Sequence, residues 1–201
     1  MIQLQRIKTI ILLIISLIGI AQCQYPWVYY QIYYDVNSCS TLENAYYFNE
    51  NGCVNEYYKY LCDSTGDNVI VAQYEGGGCT GDVVSKNSYP TNQCSGAVQY
   101  GCATNYVLPT NSVSVLKGGN CTEDIYEIDD SYQDYVTQVF ITITDLCLNQ
   151  ISYSQMTVCN STTQELRLYQ SVNGCGGPYA AFDNPIGLNC YMGEIWNTVC
   201  Q

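Results

Sequence analysis

The chain has 201 residues, among them 13 cysteines, 21 tyrosines and no histidine, and its formal net charge is −12. Without an imidazole, a serine or cysteine nucleophile with a histidine base is excluded, and so is histidine-ligated zinc. The excess of acids repels phosphate backbones and anionic membrane surfaces, which argues against nucleic acid as a partner.

Arg6 and Lys8 precede an apolar run from Ile10 to Ala21. A basic start followed by a run of this length predicts a secretory signal over residues 1–23, since a membrane span needs about 20 apolar residues. Cleavage after Ala21 or after Cys23 satisfies the small-residue rule. The second cut leaves an even set of twelve cysteines, and four cations (Lys59, Lys86, Lys117, Arg167) against 18 acids, a net charge of −14. The expectation is a secreted, extracellular chain with no membrane association after signal cleavage, its thiols oxidised to disulfides.

Residues 24–38 form an aromatic N-terminal segment carrying Tyr25, Trp27, Tyr29, Tyr30, Tyr33 and Tyr34. As an extended strand, residues 24–36 would reach roughly 43 Å at about 3.3 Å per residue. Left free it would be an aggregation-prone edge, so it must be buried. Two burials fit: it is the first strand of its own domain, or it inserts into the next subunit as in donor-strand exchange. A head-to-tail contact of the second kind propagates into a filament. On that reading these six aromatics are the subunit interface.

The remaining cysteines fall into two sets. Cys39, Cys53, Cys62, Cys79, Cys94 and Cys102 are spaced 14, 9, 17, 15 and 8; Cys121, Cys147, Cys159, Cys175, Cys190 and Cys200 are spaced 26, 12, 16, 15 and 10. Gly78-Cys79-Thr80-Gly81 aligns with Gly174-Cys175-Gly176-Gly177. Before each lies an extended apolar segment, and after each a polar loop with one proline, Pro90 or Pro185. The pattern reads as a tandem duplication: a six-cysteine β-unit at 39–102, a connector at 103–120 and a second unit at 121–201. Six cysteines allow 15 pairings, and spacing alone does not choose among them.

Short runs rich in Val, Ile, Thr and Tyr between turn residues predict an all-β fold of two disulfide-stapled, sandwich-like units. The strands expected are 28–36, 57–61, 68–74, 97–101, 112–116, 135–144, 151–158, 165–171 and 195–199. Val139, Ile141 and Ile143 should share one face, and Leu166 and Leu168 should face inward with Arg167 and Tyr169 outward. Two helical signals compete: the capping-box spacing Ser40 to Glu43, and the acidic stretch 122–134. They predict one short helix early in each unit.

Asn120-Cys121-Thr122 and Asn160-Ser161-Thr162 are glycosylation sequons. Glu123, Asp124, Glu127, Asp129 and Asp130 make a weak calcium candidate without EF-hand spacing; the plain reading of this stretch is a solvated acidic face. No other cofactor is expected. Two carboxylates acting as in glycoside hydrolases remain an option that no motif singles out.

The duplicated Tyr-x(n)-Gly-Cys-x-Gly…Cys pattern, set in Asn-, Tyr-, Ser- and Thr-rich sequence over residues 39–200, resembles the cysteine-rich surface and matrix proteins secreted by free-living protists. The resemblance implies an extracellular role in self-assembly or binding. The expectation is therefore a secreted, non-enzymatic structural glycoprotein that associates with itself, with a carbohydrate- or protein-binding module as the alternative.

Overall fold

A computed structural model describes residues 26–36, 38–120, 136–191 and 194–201. The described chain is all-β and sandwich-like. In order, the strands are β1 (Trp27–Tyr33), β2 (Leu42–Asn49), β3 (Tyr58–Cys62), β4 (Asn68–Gly76), β5 (Thr80–Pro90), β6 (Cys94–Ser95), β7 (Val98–Ala103), β8 (Ser112–Asn120), β9 (Val136–Ile143), β10 (Leu148–Asn149), β11 (Ser154–Cys159), β12 (Thr163–Tyr169), β13 (Tyr179–Pro185), β14 (Gly187–Tyr191) and β15 (Glu194–Cys200). The predicted signal segment lies outside the described residues.

One eight-stranded sheet runs β14-β15-β8-β9-β2-β1-β7-β6. The two smaller sheets are β3-β4-β5 and β10-β11-β12-β13. Read from its centre, the large sheet is the same four-strand series twice, β2-β1-β7-β6 one way and β9-β8-β15-β14 the other. The registers agree. Val28 lies opposite Phe48 and Cys102, and Val113 lies opposite Thr142 and Cys200. The halves meet where β2 and β9 pair antiparallel, with Tyr46 opposite Phe140. Tyr46 lies two residues before Phe48, the partner of Val28, and Phe140 two residues before Thr142, the partner of Val113, so a pseudo-two-fold axis passes between them.

The disulfides repeat as well. Cys53–Cys79 and Cys147–Cys175 close loops of 26 and 28 residues, and Cys62–Cys102 and Cys159–Cys200 close loops of 40 and 41. Cys39 pairs with Cys94, and Cys190 is also disulfide-bonded. Among the described residues no bridge joins the first set to the second. Cys121 lies outside the described residues. The aligned turns share backbone as well as sequence: Gly78 and Gly174, and likewise Gly81 and Gly177, take positive φ (68°, 133°, 77° and 85°), which disfavours any side chain there.

Three details differ from the sequence reading. Residues 42–49 form a strand where the capping-box spacing predicts a helix. Ala45 and Tyr47 alternate into a buried face, and that burial against β1 and β9 overrides a local cap worth about 1 kcal/mol. The second helical stretch, 122–134, lies outside the described residues. The polar loops ending at Pro90 and Pro185 are the edge strands β5 and β13; every residue of β13 is exposed, so neither has an apolar alternation to reveal it. Finally, Tyr169 is buried, with Leu166 and Leu168 half-buried, and Arg167 pairs with Glu165 and lies 5.0 Å over the Tyr179 ring. Val139 and Ile141 do share one buried face.

The connector contributes β8, which occupies in the second repeat the place that β1 holds in the first. Between β7 and β8 the chain brings Tyr106 and Leu108 against one face of the large sheet. The core there is Trp27, Ala45 and Tyr47 from one repeat with Leu116, Val136, Val139, Ile141 and Ile195 from the other. The opposite face carries Val28 and Phe48 toward the small sheets, which the Cys62–Cys102 and Cys159–Cys200 bridges tether to it.

Because β1 is an interior strand, removing residues 27–33 should unfold the chain, seen as loss of the cooperative denaturant transition. Trp27→Ala should cost about 3–5 kcal/mol in the same measurement. A soluble, cooperatively folding deletion variant would show that β1 is dispensable to its own domain.

Candidate functional site

The aromatic N-terminal segment is brought together in one place, inside its own sheet. Both edges of β1 are hydrogen-bonded within the chain, to β2 and to β7. Trp27 is 7% exposed and meets Tyr106 edge-on at 5.1 Å. Tyr29, Tyr30 and Tyr33 are half-buried, Tyr34 is exposed, and Tyr25 lies outside the described residues. For Trp27, Tyr29, Tyr30 and Tyr33 the packing expected from a neighbouring subunit is supplied by this chain's own strands.

Alternation splits these side chains between the two faces. Tyr29 packs on Tyr47 at 5.5 Å, and its ring lies over Gly101, directly opposite on β7. A Cβ at Gly101 would collide with that ring, which accounts for glycine in a strand interior. The Tyr33 hydroxyl lies 2.8 Å from both Gln31 Oε1 and Gln99 Oε1 and donates its one proton to either amide oxygen. On the other face Tyr30 begins a row of rings: Tyr46 at 4.6 Å on one side and Tyr100 at 6.0 Å on the other. The row continues through Phe140 beyond Tyr46 and Tyr89 beyond Tyr100, the last pair stacked at 4.4 Å. Phe48 stacks under Tyr60 of β3, also at 4.4 Å. Burial, then the neighbouring hydroxyls of Tyr46, Tyr60 and Tyr100, push the Tyr30 phenol up to about 12. Burial likewise raises Tyr29, Tyr33, Tyr46, Tyr47, Tyr60 and Tyr100.

Among the described residues, each repeat has a cleft beside the large sheet. The cleft of the second repeat holds about 510 Å³. Val115 of β8 and Trp196 and Thr198 of β15 form one wall; Gln164 of β12 and Asn184 and Pro185 of β13 form the other; Asn189 and Cys190 of β14 close the side. Lys117 lies 5.3 Å over the Trp196 indole and is ion-paired to Glu194 at 2.9 Å. The lining itself has no charged side chain. The cleft of the first repeat holds about 400 Å³ between Tyr89 and Pro90 of β5 and Val98 and Tyr100 of β7, with Gln93, Cys94 and Ser95 beside them. It too is lined without charge. Sequence reading singled out neither cleft. The polar residues of the larger one are scattered over four strands, so no local spacing marks them.

The other candidates are quickly placed. Asn160 is exposed in the turn between β11 and β12, where its Oδ1 accepts from the backbone N–H of Thr162 and Thr163 at 2.8 and 2.7 Å. Asn120 ends β8, and its side chain lies outside the described residues. So do Glu123, Asp124, Glu127, Asp129 and Asp130, the calcium candidate. Among the described residues no group of three or more Cys, Asp or Glu is placed to hold a metal ion, and no helix is long and apolar enough to cross a membrane.

Comparison with known proteins gives one result. The counting factor-associated protein A/B/C family matches residues 4–201. The chain belongs to that family. It is a family of secreted Dictyostelium proteins, which agrees with the protist resemblance at the level of a secreted, protist-type chain and suggests an extracellular location. No curated protein and no solved structure matches the chain.

Phenols held above their ordinary value favour the folded state least at high pH. The stability tied to them is complete below about pH 10 and is lost as the pH rises through their raised values, about 12 for Tyr30. Absorbance titration should show a late class of tyrosines, and Tyr30→Phe should remove one member and lessen the alkaline loss of stability. Titration of all tyrosines as a single ordinary class would contradict the buried row.

Proposed function

We propose that this is a secreted, non-enzymatic binding protein whose second-repeat cleft takes a neutral carbohydrate. The observation that carries the reading is the lining around Trp196: an indole beside Gln164, Asn184, Asn189 and Thr198, with no charged side chain. Amides and a hydroxyl each donate and accept, which matches the hydroxyl groups of a sugar. An aromatic face suits the apolar C–H face of a pyranose. The volume falls in the range of small-ligand sites, about 300–1,000 Å³. The net charge of −12 disfavours anionic ligands. A histidine-free chain lacks the commonest acid-base group, which supports a non-enzymatic role. In an oxidising compartment the bridged cysteines keep so small a core folded.

Two further points belong to this reading. Asn160, exposed in its turn, is the proposed site of an N-glycan; linkage through Nδ2 leaves one N–H for its bond to Thr163 Oγ1 at 2.8 Å. Self-association through β1, the sequence expectation, would require that strand to leave its place between β2 and β7, so it is not part of the proposal.

The test uses the chain's two tryptophans. Trp27 is buried and Trp196 lines the cleft. Neutral oligosaccharides identified on a glycan array should change the Trp196 fluorescence, and Trp196→Ala should weaken binding at least tenfold in a chain that still melts cooperatively. Absence of binding to any neutral glycan, or binding untouched by Trp196→Ala, would overturn the assignment.

A further inference from the structure

We infer that the first-repeat cleft is a second site for the same class of ligand, so that one chain joins two neutral glycans. This rests on the reading of the second-repeat cleft. The argument is positional. Val28 and Val113 each face the last cysteine of their repeat, Cys102 and Cys200. Counting back along β7 and β15 from those cysteines, Val98 takes the place of Trp196, and Tyr100 the place of Thr198. On the facing sheets, Cys62 opposite Val69 corresponds to Cys159 opposite Gln164. The next strand then brings Pro90 and Pro185 to equivalent places, opposite Asn68 and Thr163. Tyr89 therefore stands where Asn184 does. The two clefts occupy the same location in the two copies of one fold.

The linings have exchanged parts but kept their chemistry. The second cleft draws its ring from β15 and its amides from β12, β13 and β14. The first draws its rings from Tyr89 and Tyr100, stacked at 4.4 Å, and its polar groups from Gln93 and Ser95. Each has an aromatic face and neutral donors and acceptors, and each has an edge-strand cysteine beside it, Cys94 or Cys190. Different placement of the rings predicts different fine preference within one ligand class.

Geometry then makes the pair bivalent. β7 and β15 are five strand spacings apart in the large sheet. At about 4.8 Å per spacing this is roughly 24 Å along the sheet. A disaccharide is too short to reach both sites, so two occupied clefts hold two separate chains or two distant points on a polymer. Simultaneous engagement raises avidity without any new contact.

The experiment is calorimetric titration of the full secreted chain with the neutral tetrasaccharide that binds best on the array. It is accompanied by turbidity with the same sugar displayed on a soluble polymer. The stoichiometry should be two. Trp196→Ala should reduce it to one. Tyr89→Ala should do the same, and because that change touches the tyrosine row, Ser95→Trp, which fills the first cleft from its exposed edge, provides the second variant. Circular dichroism and the melting transition confirm folding of each. Either single-cleft change should abolish turbidity while leaving one site. A stoichiometry of one that Trp196→Ala alone abolishes would overturn the second site and leave the first reading standing. No binding at all would overturn the first reading itself. A stoichiometry of two that both first-cleft variants retain would place the second ligand elsewhere and overturn the assignment of this cleft.

Discussion

The antiparallel pairing of β2 with β9 is the contact on which the rest of the structure depends. It converts two small four-strand half-sheets into one sheet of eight. Without it, each repeat would expose a strand edge with Ala45 and Tyr47, or Val139 and Ile141, beside it, and such an edge invites pairing with other chains. The core on that side belongs to neither repeat alone, since Trp27 and Tyr47 pack in the same cluster as Leu116, Ile141 and Ile195. The duplication is therefore covalently tandem but structurally a dimer in one chain. Tyr46 and Phe140, whose rings meet edge-on at 5.7 Å, mark its axis.

Away from that axis the disulfides take over. The small sheets lie over the outer strands of the large one, and a chain poor in aliphatic residues has little to glue them there. Cys62–Cys102 and Cys159–Cys200 each tie a small sheet directly to the large sheet. A bridge of this kind contributes about 2–4 kcal/mol. Tyrosine supplies much of the remaining contact, because its ring buries like an apolar side chain while its hydroxyl stays near water. The two clefts lie where β6 and β14 flank the space between the sheets. The clefts thus arise from the scaffold: a staple keeps two sheets together, and space opens beside it.

The two repeats show which features the fold requires. Both keep the paired bridges, the positive-φ glycines and the proline at the end of the edge strand. They differ in what faces the clefts, with Val98 in one and Trp196 in the other. Most of the aromatic N-terminal strand also has no aromatic counterpart: the place of Tyr30 is held in β8 by Val115. A tyrosine row on one half of the sheet and an indole on the other make the two halves alike in backbone and unlike in surface.

Much of this was legible in the residues. The alternation in Val139-Phe140-Ile141-Thr142-Ile143 marks a half-buried strand, the cysteine intervals mark a repeat, and Val, Ile, Thr and Tyr between turn residues mark an all-β chain. Edge strands β5 and β13 were not legible, because strands exposed along nearly all of their length have no apolar period. The strand at 42–49 was hidden by a local cap signal that long-range burial overrides. By itself the sequence determined the secondary-structure class, the duplicated cysteine framework and the exclusion of imidazole chemistry, since these depend on residue identity and local spacing. Only the tertiary structure decided that β1 lies between β2 and β7, that β8 is its counterpart in the second repeat, and that Trp196 and Tyr100 line equivalent clefts. Alternation tells which face of a strand is buried but not which strand lies beside it; that choice depends on pairing between segments far apart in the chain, and it exists only once they have met.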